Sequence, residues 1–272
     1  MSSVLSFSLV GYIQKLKCTL ESPVQYRLLL DEQEIHLNAY LGKKISLQFM
    51  GEIRCVYCSR MIKKNYNQGY CFPCSQKLAR ADFCIVKPEL CHHHLGTCRE
   101  PDWGVAHCMI PHIVYLANTS GLKVGITREN QIPIRWMDQG ATQALPILRA
   151  KSRLHSGLVE SQLAKSLQDK TDWRKMLRGS AEPLDLINIR DTLFLTESAW
   201  NKEGLEKLMD EKPIFLNYPV LNYPNKVNAI RFEKQPTLTG TLLGIKGQYL
   251  LLDTGVVNIR NHSGFKLGVI LS

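Results

Sequence analysis

No stretch of this sequence approaches the roughly 18 consecutive apolar residues that a bilayer-spanning helix needs, which argues against a membrane-spanning protein. The opening MSSVLSFSLVGYIQK lacks the basic start and small-residue cleavage site of a secretory leader, so a cytoplasmic location is expected. Low-complexity linkers are missing too. Acidic residues are the scarcer charge: 24 Asp+Glu stand against 34 Lys+Arg, for a formal net charge of +10 over 272 residues. That surplus suits a polyanionic partner, nucleic acid rather than membrane because no basic amphipathic helix is evident. Cysteine is nearly absent outside one window. Of nine cysteines only Cys18 lies outside the stretch from Cys55 to Cys108. In a reducing compartment such clustering favours metal ligation over disulfides. With 44% hydrophobic residues the chain can build a core, which excludes a mostly disordered protein.

The patterning predicts an α+β protein in five segments. Residues 1–50 read as strands in LSFSLVGYI, YRLLL, EIHLNAYL and KISLQF, from alternating apolar positions. Residues 51–112 are rich in Cys and His and poor in periodic apolar pattern. Residues 113–182 open with a strand pair, IVYLAN and LKVGIT, flanking the turn residues Thr119-Ser-Gly121. They continue into two helices, IPIRWMDQGA ending at Gly140, and GLVESQLAKSLQDK. Residues 183–237 combine a helix over ESAWNKEGLEKLMDEK with proline-punctuated loops. Residues 238–272 again read as strands: GTLLGIK, QYLLLDTG, VVNIR and FKLGVIL.

The two β-rich ends resemble each other. Gly11-Tyr-Ile-Gln-Lys-Leu-Lys17 parallels Gly240-Thr-Leu-Leu-Gly-Ile-Lys246, and Tyr26-Arg-Leu-Leu-Leu-Asp31 parallels Tyr249-Leu-Leu-Leu-Asp253. In both, a glycine follows eleven residues after the Asp, at Gly42 and Gly264. A short hairpin cannot bury its own apolar face, so two related copies would pack into one small barrel or sandwich. Chance likeness between β-rich segments is the competing explanation.

Cys55-Val-Tyr-Cys58 and Cys71-Phe-Pro-Cys74 form C-x2-C-x12-C-x2-C, a zinc-ribbon-like arrangement. Each C-x2-C is a knuckle that directs two thiolates at one ion, and two knuckles complete a tetrahedral structural Zn2+ site. A redox pair is the alternative use of such thiols. Cys84, Cys91, Cys98 and Cys108, with His92, His93, His94, His107 and His112 as alternates, have the ligand types of a second structural zinc. Their spacing matches no single knuckle motif. Buried thiols with surface imidazoles, or three protein ligands and a water, also fit. Arg54, Arg60, Lys63, Lys64, Lys77 and Arg80, interleaved with Tyr57, Tyr66, Tyr70 and Phe72, suit contact with phosphates and bases, or a solvated basic face.

Ile113-Val-Tyr115, Lys123-Val-Gly125, Arg135 on the next helix and Glu160 on the one after form an ordered constellation. It resembles the core of the GIY-YIG endonuclease superfamily, with lysine in place of the second tyrosine as in a phage-type branch. The closing Asn of that pattern has no clear counterpart, although Asp172-Trp173 lies nearby. The resemblance implies a small α/β core and a divalent-metal-dependent phosphodiesterase acting on DNA or RNA. Tyr115 would position or activate water, Lys123 would steady the phosphate, Arg135 would clamp it, and Glu160 would hold Mg2+ or Mn2+. Taken singly, each residue has an ordinary reading: Tyr115 packs on a strand, Arg135 pairs with Asp138, Glu160 is a solvated carboxylate. A non-catalytic nucleic-acid-binding module on the same fold is one alternative, and a thiol-based redox or metal sensor is another. The CxxC pairs, Gly96-Thr-Cys-Arg99 and the run KVGITR to IPIRWMDQGA are also similar to a bacterial family defined as a domain of unknown function.

Overall fold

The computed structural model describes residues 9–165, 167, 172–179, 181–196, 200 and 203–271. Tertiary contacts divide the chain into two units. One takes the chain up to Ser75 together with everything from Asn217 onward, and the other is Gln76–Leu216. The elements run in order as follows. Strands β1 (Leu9–Tyr12), β2 (Lys17–Thr19), β3 (Gln25–Leu30), β4 (Gln33–His36), β5 (Lys44–Arg54) and β6 (Met61–Ile62) precede helix α1 (Phe72–Lys77). Helix α2 (Pro101–His107), β7 (His112–Asn118), β8 (Leu122–Arg128), α3 (Ile134–Asp138), β9 (Gln143–Ala150) and α4 (Arg153–Leu163) follow. Next come α5 (Trp173–Met176), α6 (Leu186–Thr196), β10 (Leu205–Lys207) and β11 (Ile214–Phe215). The chain closes with β12 (Ala229–Ile230), β13 (Thr237–Lys246), β14 (Tyr249–Leu252), β15 (Gly255–Asn258) and β16 (Phe265–Leu271).

The first unit is almost entirely β. Its large sheet runs β1-β16-β5-β13-β14-β15-β12 with β6 added on β5, and β2-β3-β4 form a separate small sheet. Period-two alternation places Tyr26, Leu28 and Leu30 of β3 inside, with Ile45 and Leu47 of β5 and Leu267 and Val269 of β16. Its pairing is symmetric across the repeated segments. β1 lies on β16 and β13 on β5, so each copy's first strand adds to the other copy's last strand. Leu47 sits opposite Val269, and each is five residues beyond its copy's glycine, Gly42 or Gly264. Gly42 N donates to Leu242 O and Gly264 N to Ile13 O, both at 2.8 Å. The Asp31 carboxylate accepts from Tyr12 N at 3.0 Å, and the Asp253 carboxylate from Thr241 N at 2.9 Å. A Cβ at Gly11 or Gly240 would strike those same carboxylates. Neither hairpin closes a core alone, and the exchange of strands supplies each with the other's apolar face.

Gly264 is the tightest point of this exchange. Its φ is +87°, and a Cβ there would lie 2.2 Å from the Arg54 carbonyl oxygen. Gly264→Ala combines left-handed strain with a clash against rigid backbone, and is expected to destabilise the first unit by about 2–4 kcal/mol. Urea unfolding of the variant beside wild type checks this; a change under about 0.5 kcal/mol would refute it.

The second unit carries a sheet in the order β10-β9-β7-β8, with β11 also on β9. β7 is buried at all seven positions because it is central. Val114, Leu116, Val124, Leu145, Leu148, Val159, Leu163 and Leu186 form the core under α4 and α6. Each such fully buried aliphatic side chain contributes about 1.5–3 kcal/mol.

Several local expectations differ from this fold. β9 is a strand that the apolar run QALPILRA conceals, because Pro146 argues against one. The proline is tolerated where the β7–β9 register shifts between Val114 and Tyr115. Leu205–Lys207 is strand rather than helix: Gly204, at φ +82°, breaks the helical run, and pairing with β9 overrides the propensity of Leu, Glu and Lys. Glu197, Ser198, Ala199, Asn201 and Lys202 of that predicted helix lie outside the described residues, as do Leu5–Ser8 and most of the segment GLVESQLAKSLQDK after Lys165. Leu37–Tyr40 forms a 3-10 turn rather than continuing β4. The Cys/His-rich stretch divides between the units, 51–75 in the first and 76–112 in the second.

Candidate functional site

Three groups of reactive side chains emerge. The first is the double knuckle. Cys55 follows β5, its amide donating to the Arg60 carbonyl while Ser59, at φ +56°, turns the chain back. Cys71 and Cys74 lie at the start of α1. The four sulfurs all lie within 4.8 Å of one another, and Cys58 and Cys71 Sγ are 3.8 Å apart. Zn–S bonds of about 2.3 Å in a tetrahedron require S···S edges of about 3.8 Å. The set therefore fits a structural metal ion such as zinc. Burial pushes the Cys55 thiol up, but hydrogen bonds from the backbone of Cys58, Cys71 and Tyr57 outweigh it and draw it down to about 6. Cys74 is raised, by burial first and then by its neighbouring sulfurs.

These shifts set a pH dependence. A thiol lowered from about 9 to about 6 contributes stability that is fully present above its unfolded value and lost as pH falls through the folded one. Because the metal needs thiolates, release is expected as falling pH protonates the four sulfurs. A chromogenic zinc indicator added along a pH series would show it. Uniform retention from pH 8 to pH 4 would contradict it.

The second group surrounds Tyr115. Tyr115 on β7 faces Gly125 on β8, where a Cβ would lie 2.7 Å from the phenol oxygen, so the glycine makes room for the ring. Trp136 of α3 packs edge-on against Tyr115 at 5.8 Å. Gln139, just beyond α3, links the polar ends. Its carbonyl oxygen accepts from Nε and Nη2 of Arg135, both at 3.2 Å, and its amide nitrogen donates to Tyr115 Oη at 3.0 Å. The reverse orientation would direct the amide NH2 at the guanidinium. Lys123 Nζ lies 3.4 Å from the same amide group. Glu160, half-buried on α4, lies close enough to raise the Tyr115 phenol electrostatically. Burial pushes Tyr115 up to about 12, with Glu160 adding and Arg135 and Gln139 opposing. At neutral pH it is a protonated hydrogen-bonding group.

Thus Tyr115, Lys123, Arg135 and Glu160, spread over 46 residues of sequence, occupy one locus in the second unit. Tyr115 is fully buried and Lys123 only 5% exposed. Sequence reading missed Gln139, for which a glutamine after a helix gives no signal. Asp172 instead caps α5, accepting from Arg174 and Lys175 amides.

The third group is Cys84, Cys91, Cys98 and Cys108, which line one cavity with Asp82, His92, His93 and Trp103. His94, His107 and His112 are not among its lining residues. His107 stacks on Trp103 at 4.2 Å, and His112 is buried with Nδ1 on the Ile110 carbonyl. Burial lowers His112 to about 4, so it is neutral at pH 7.

The basic face at the double knuckle is partly committed. Arg54 pairs with Asp31 and lies over the Tyr12 ring. Arg60, Lys63 and Lys64 are exposed, as are Tyr57, Tyr66 and Phe72. Among the described residues no helix is long and apolar enough to cross a membrane.

A family profile described as "Protein of unknown function (DUF2797)" matches residues 42–267. No curated protein and no solved structure matches the chain.

Proposed function

Since the chain belongs to the DUF2797 family, whose description carries no activity, we propose a function from its own residues: a zinc-stabilised nucleic-acid-binding protein with a GIY-YIG-like core that hydrolyses phosphodiesters with a divalent metal. The observation that carries this reading is that Gln139 links Arg135 to the Tyr115 phenol, with Lys123 Nζ beside the same amide and Glu160 near enough to act on that phenol. The order of a β-hairpin, a short helix carrying the arginine and a later helix carrying the glutamate supports this reading.

The residues divide the chemistry. Arg135, held by Gln139, presents its remaining guanidinium N–H groups to a phosphate, and Lys123 adds a second positive charge as the pentavalent centre gathers negative charge. Tyr115, protonated at pH 7, holds the attacking water or a phosphate oxygen by hydrogen bonding, a positioning role rather than that of a base. Glu160 would be the carboxylate ligand for Mg2+ or Mn2+. One carboxylate suffices, because Mg2+ keeps several waters and completes its shell with substrate phosphates. The ion would supply electrostatic stabilisation to the leaving oxygen. In the first unit, zinc at Cys55, Cys58, Cys71 and Cys74 would hold Arg60, Lys63 and Lys64 beside Tyr57, Tyr66 and Phe72 as a face for phosphates and bases.

The test is cleavage of labelled duplex, single-stranded and branched DNA and of structured RNA, with Mg2+, Mn2+ or EDTA. Wild type and Glu160→Ala are compared. Metal-dependent cleavage lost in the variant is the expected result. Salt-sensitive binding without cleavage, unchanged in Glu160→Ala, would instead make the locus part of a binding module.

A further inference from the structure

Residues 79–109 of the second unit form short turns with almost no apolar core of their own. Phe83, Val86, Leu90, Leu95 and Val105 are all at least half exposed. The side chains this stretch buries are those of Ala79, Ala81, Pro88 and three cysteines, Cys84, Cys91 and Cys108. Packing of so little apolar surface does not hold separate turns together. Each of the four thiols here comes from a different turn: Cys84 within the 3-10 turn Phe83–Ile85, Cys91 at the end of Pro88–Leu90, Cys98 ahead of α2, and Cys108 as its C-terminal cap. What the turns share is the sulfur.

All four cysteines line one cavity. It leaves about 10 Å3 for the centre of a water-sized sphere, the room of one water or one bare ion. The Cys91 and Cys108 side chains touch, Cys98 lies in electrostatic range of Cys108, and Cys84 of both Cys91 and Cys108. A Cβ at Gly104 on α2 would lie 3.2 Å from Cys98 Sγ, so the glycine lets the helix that ends in Cys108 close over Cys98. Charge beside the cavity favours thiolates over thiols. Arg128 on β8 and Arg153 on α4, both half-buried, are near enough to repel each other, and Cys108 is near enough to attract both. Among the described residues neither guanidinium forms an ion pair with a carboxylate. A divalent ion in four thiolates carries the net negative charge that these two cations lack, and four neutral thiols do not.

The same turns are fastened to α4. Arg153 N donates to the Cys108 carbonyl at 2.8 Å, and its Nη2 donates to the Ile85 carbonyl at 2.6 Å, next to Cys84. A Cβ at Gly157 on α4 would lie 2.5 Å from the Glu89 amide, so the glycine seats the Pro88–Leu90 turn, which leads into Cys91, on that helix.

We propose that Cys84, Cys91, Cys98 and Cys108 hold one zinc ion in a second tetrahedral site, and that this ion fixes the start of α4, the helix that carries Glu160. Asp82, Cys84 and His92 form the competing set, with ligand atoms within 4.8 Å of one another. The Asp82 carboxylate in that set already receives Arg99 at 2.6 Å and the Cys84 amide at 3.2 Å. It would also leave the touching Cys91 and Cys108 outside the coordination sphere. Neither part of the proposal rests on the phosphodiesterase reading, and both are read without substrate.

The test uses the full chain, purified under reducing conditions and dialysed free of loose metal. About two zinc ions per chain are expected in the native protein, and about one would overturn the proposal. Cys91→Ser and Cys98→Ser are each expected to reduce occupancy of the second site at least twofold, while His92→Ala and Asp82→Asn keep both ions. The reverse pattern would assign the ion to the competing set and overturn it as well. Cobalt exchanged for zinc counts thiolates in the native chain, so the proposal stays falsifiable if a variant fails to fold. Sulfur-to-cobalt absorption should correspond to about eight thiolates; about five, four at the first site and Cys84 alone at the second, would refute the ligand set. For α4, amide exchange is followed as zinc is chelated and restored, in the native chain and in Cys58→Ser. Exchange at residues 156–163 should speed by about tenfold or more on chelation and recover with zinc. Equal exchange with and without the second ion would refute its hold on the helix.

Discussion

Cys71→Ser, or removal of metal by a strong chelator, is expected to unfold residues 55–74 while the large sheet of the first unit persists. Structural zinc contributes about 10–16 kcal/mol to folding in small zinc domains, an amount that no other feature of this segment supplies. Val56, Tyr57, Met61, Tyr66 and Phe72 are all exposed, so the segment buries little apolar surface beyond Cys55 and Cys71 themselves. Its backbone bonds, such as Val56 N to Gly69 O and Tyr66 N to Tyr70 O, depend on the two knuckles staying together. β5, β13 and β16 keep their own core of Ile45, Leu47, Leu238, Leu267 and Val269, and β5 loses only its pairing with β6 at Ile53 and Arg54. Amide hydrogen exchange before and after chelation distinguishes the cases. Protection should collapse at residues 55–74 and survive in β5 and β16. Unchanged protection across 55–74 would show that the segment folds without metal. Cys18→Ser, remote from the knuckles on β2, should leave zinc stoichiometry at its wild-type value.

Glu160→Ala is expected to reduce phosphodiester cleavage by about a hundred- to a thousandfold or more, the range typical for losing one preorganised electrostatic group at a reacting centre. Stability should change far less, because Glu160 is half-buried on α4 and contributes nothing to the apolar core. Loss of the carboxylate also removes its upward pull on the Tyr115 phenol, while burial, the dominant cause, keeps that phenol protonated at neutral pH. The variant should therefore retain the Arg135–Gln139–Tyr115 chain and bind substrate with similar salt dependence. Matched thermal unfolding and binding titrations check these controls. Equal cleavage by wild type and variant would remove Glu160 from the chemistry and sink the phosphodiesterase reading at this locus.

Local chemistry was legible in the sequence wherever a few neighbouring residues determine the geometry. Two C-x2-C pairs specify a tetrahedral thiol site because each knuckle closes within one turn, and the structure brings their four sulfurs together. The 113–128 hairpin and the α3 helix ending before Gly140, at φ +70°, depend on turn residues a few positions apart. Glycine eleven residues after aspartate marks both β copies, since only glycine accepts φ +76° or +87° beside a partner strand without strain.

Tertiary structure alone decided what is brought together across long separations. Pairing with β7 turned the proline-bearing run 143–150 into a strand, and pairing with β9 did the same for Leu205–Lys207, because ladder bonds and burial exceed the few tenths of a kcal/mol that propensity supplies per residue. The β7–β9 and β7–β8 pairings carry Tyr115 to Lys123 and Gln139, and packing of α4 on the sheet brings in Glu160, a meeting that no spacing rule encodes. Exchange of β1 and β13 between the two β copies, and the division of the cysteines between two units, are likewise settled by which apolar faces remain uncovered until a distant strand arrives.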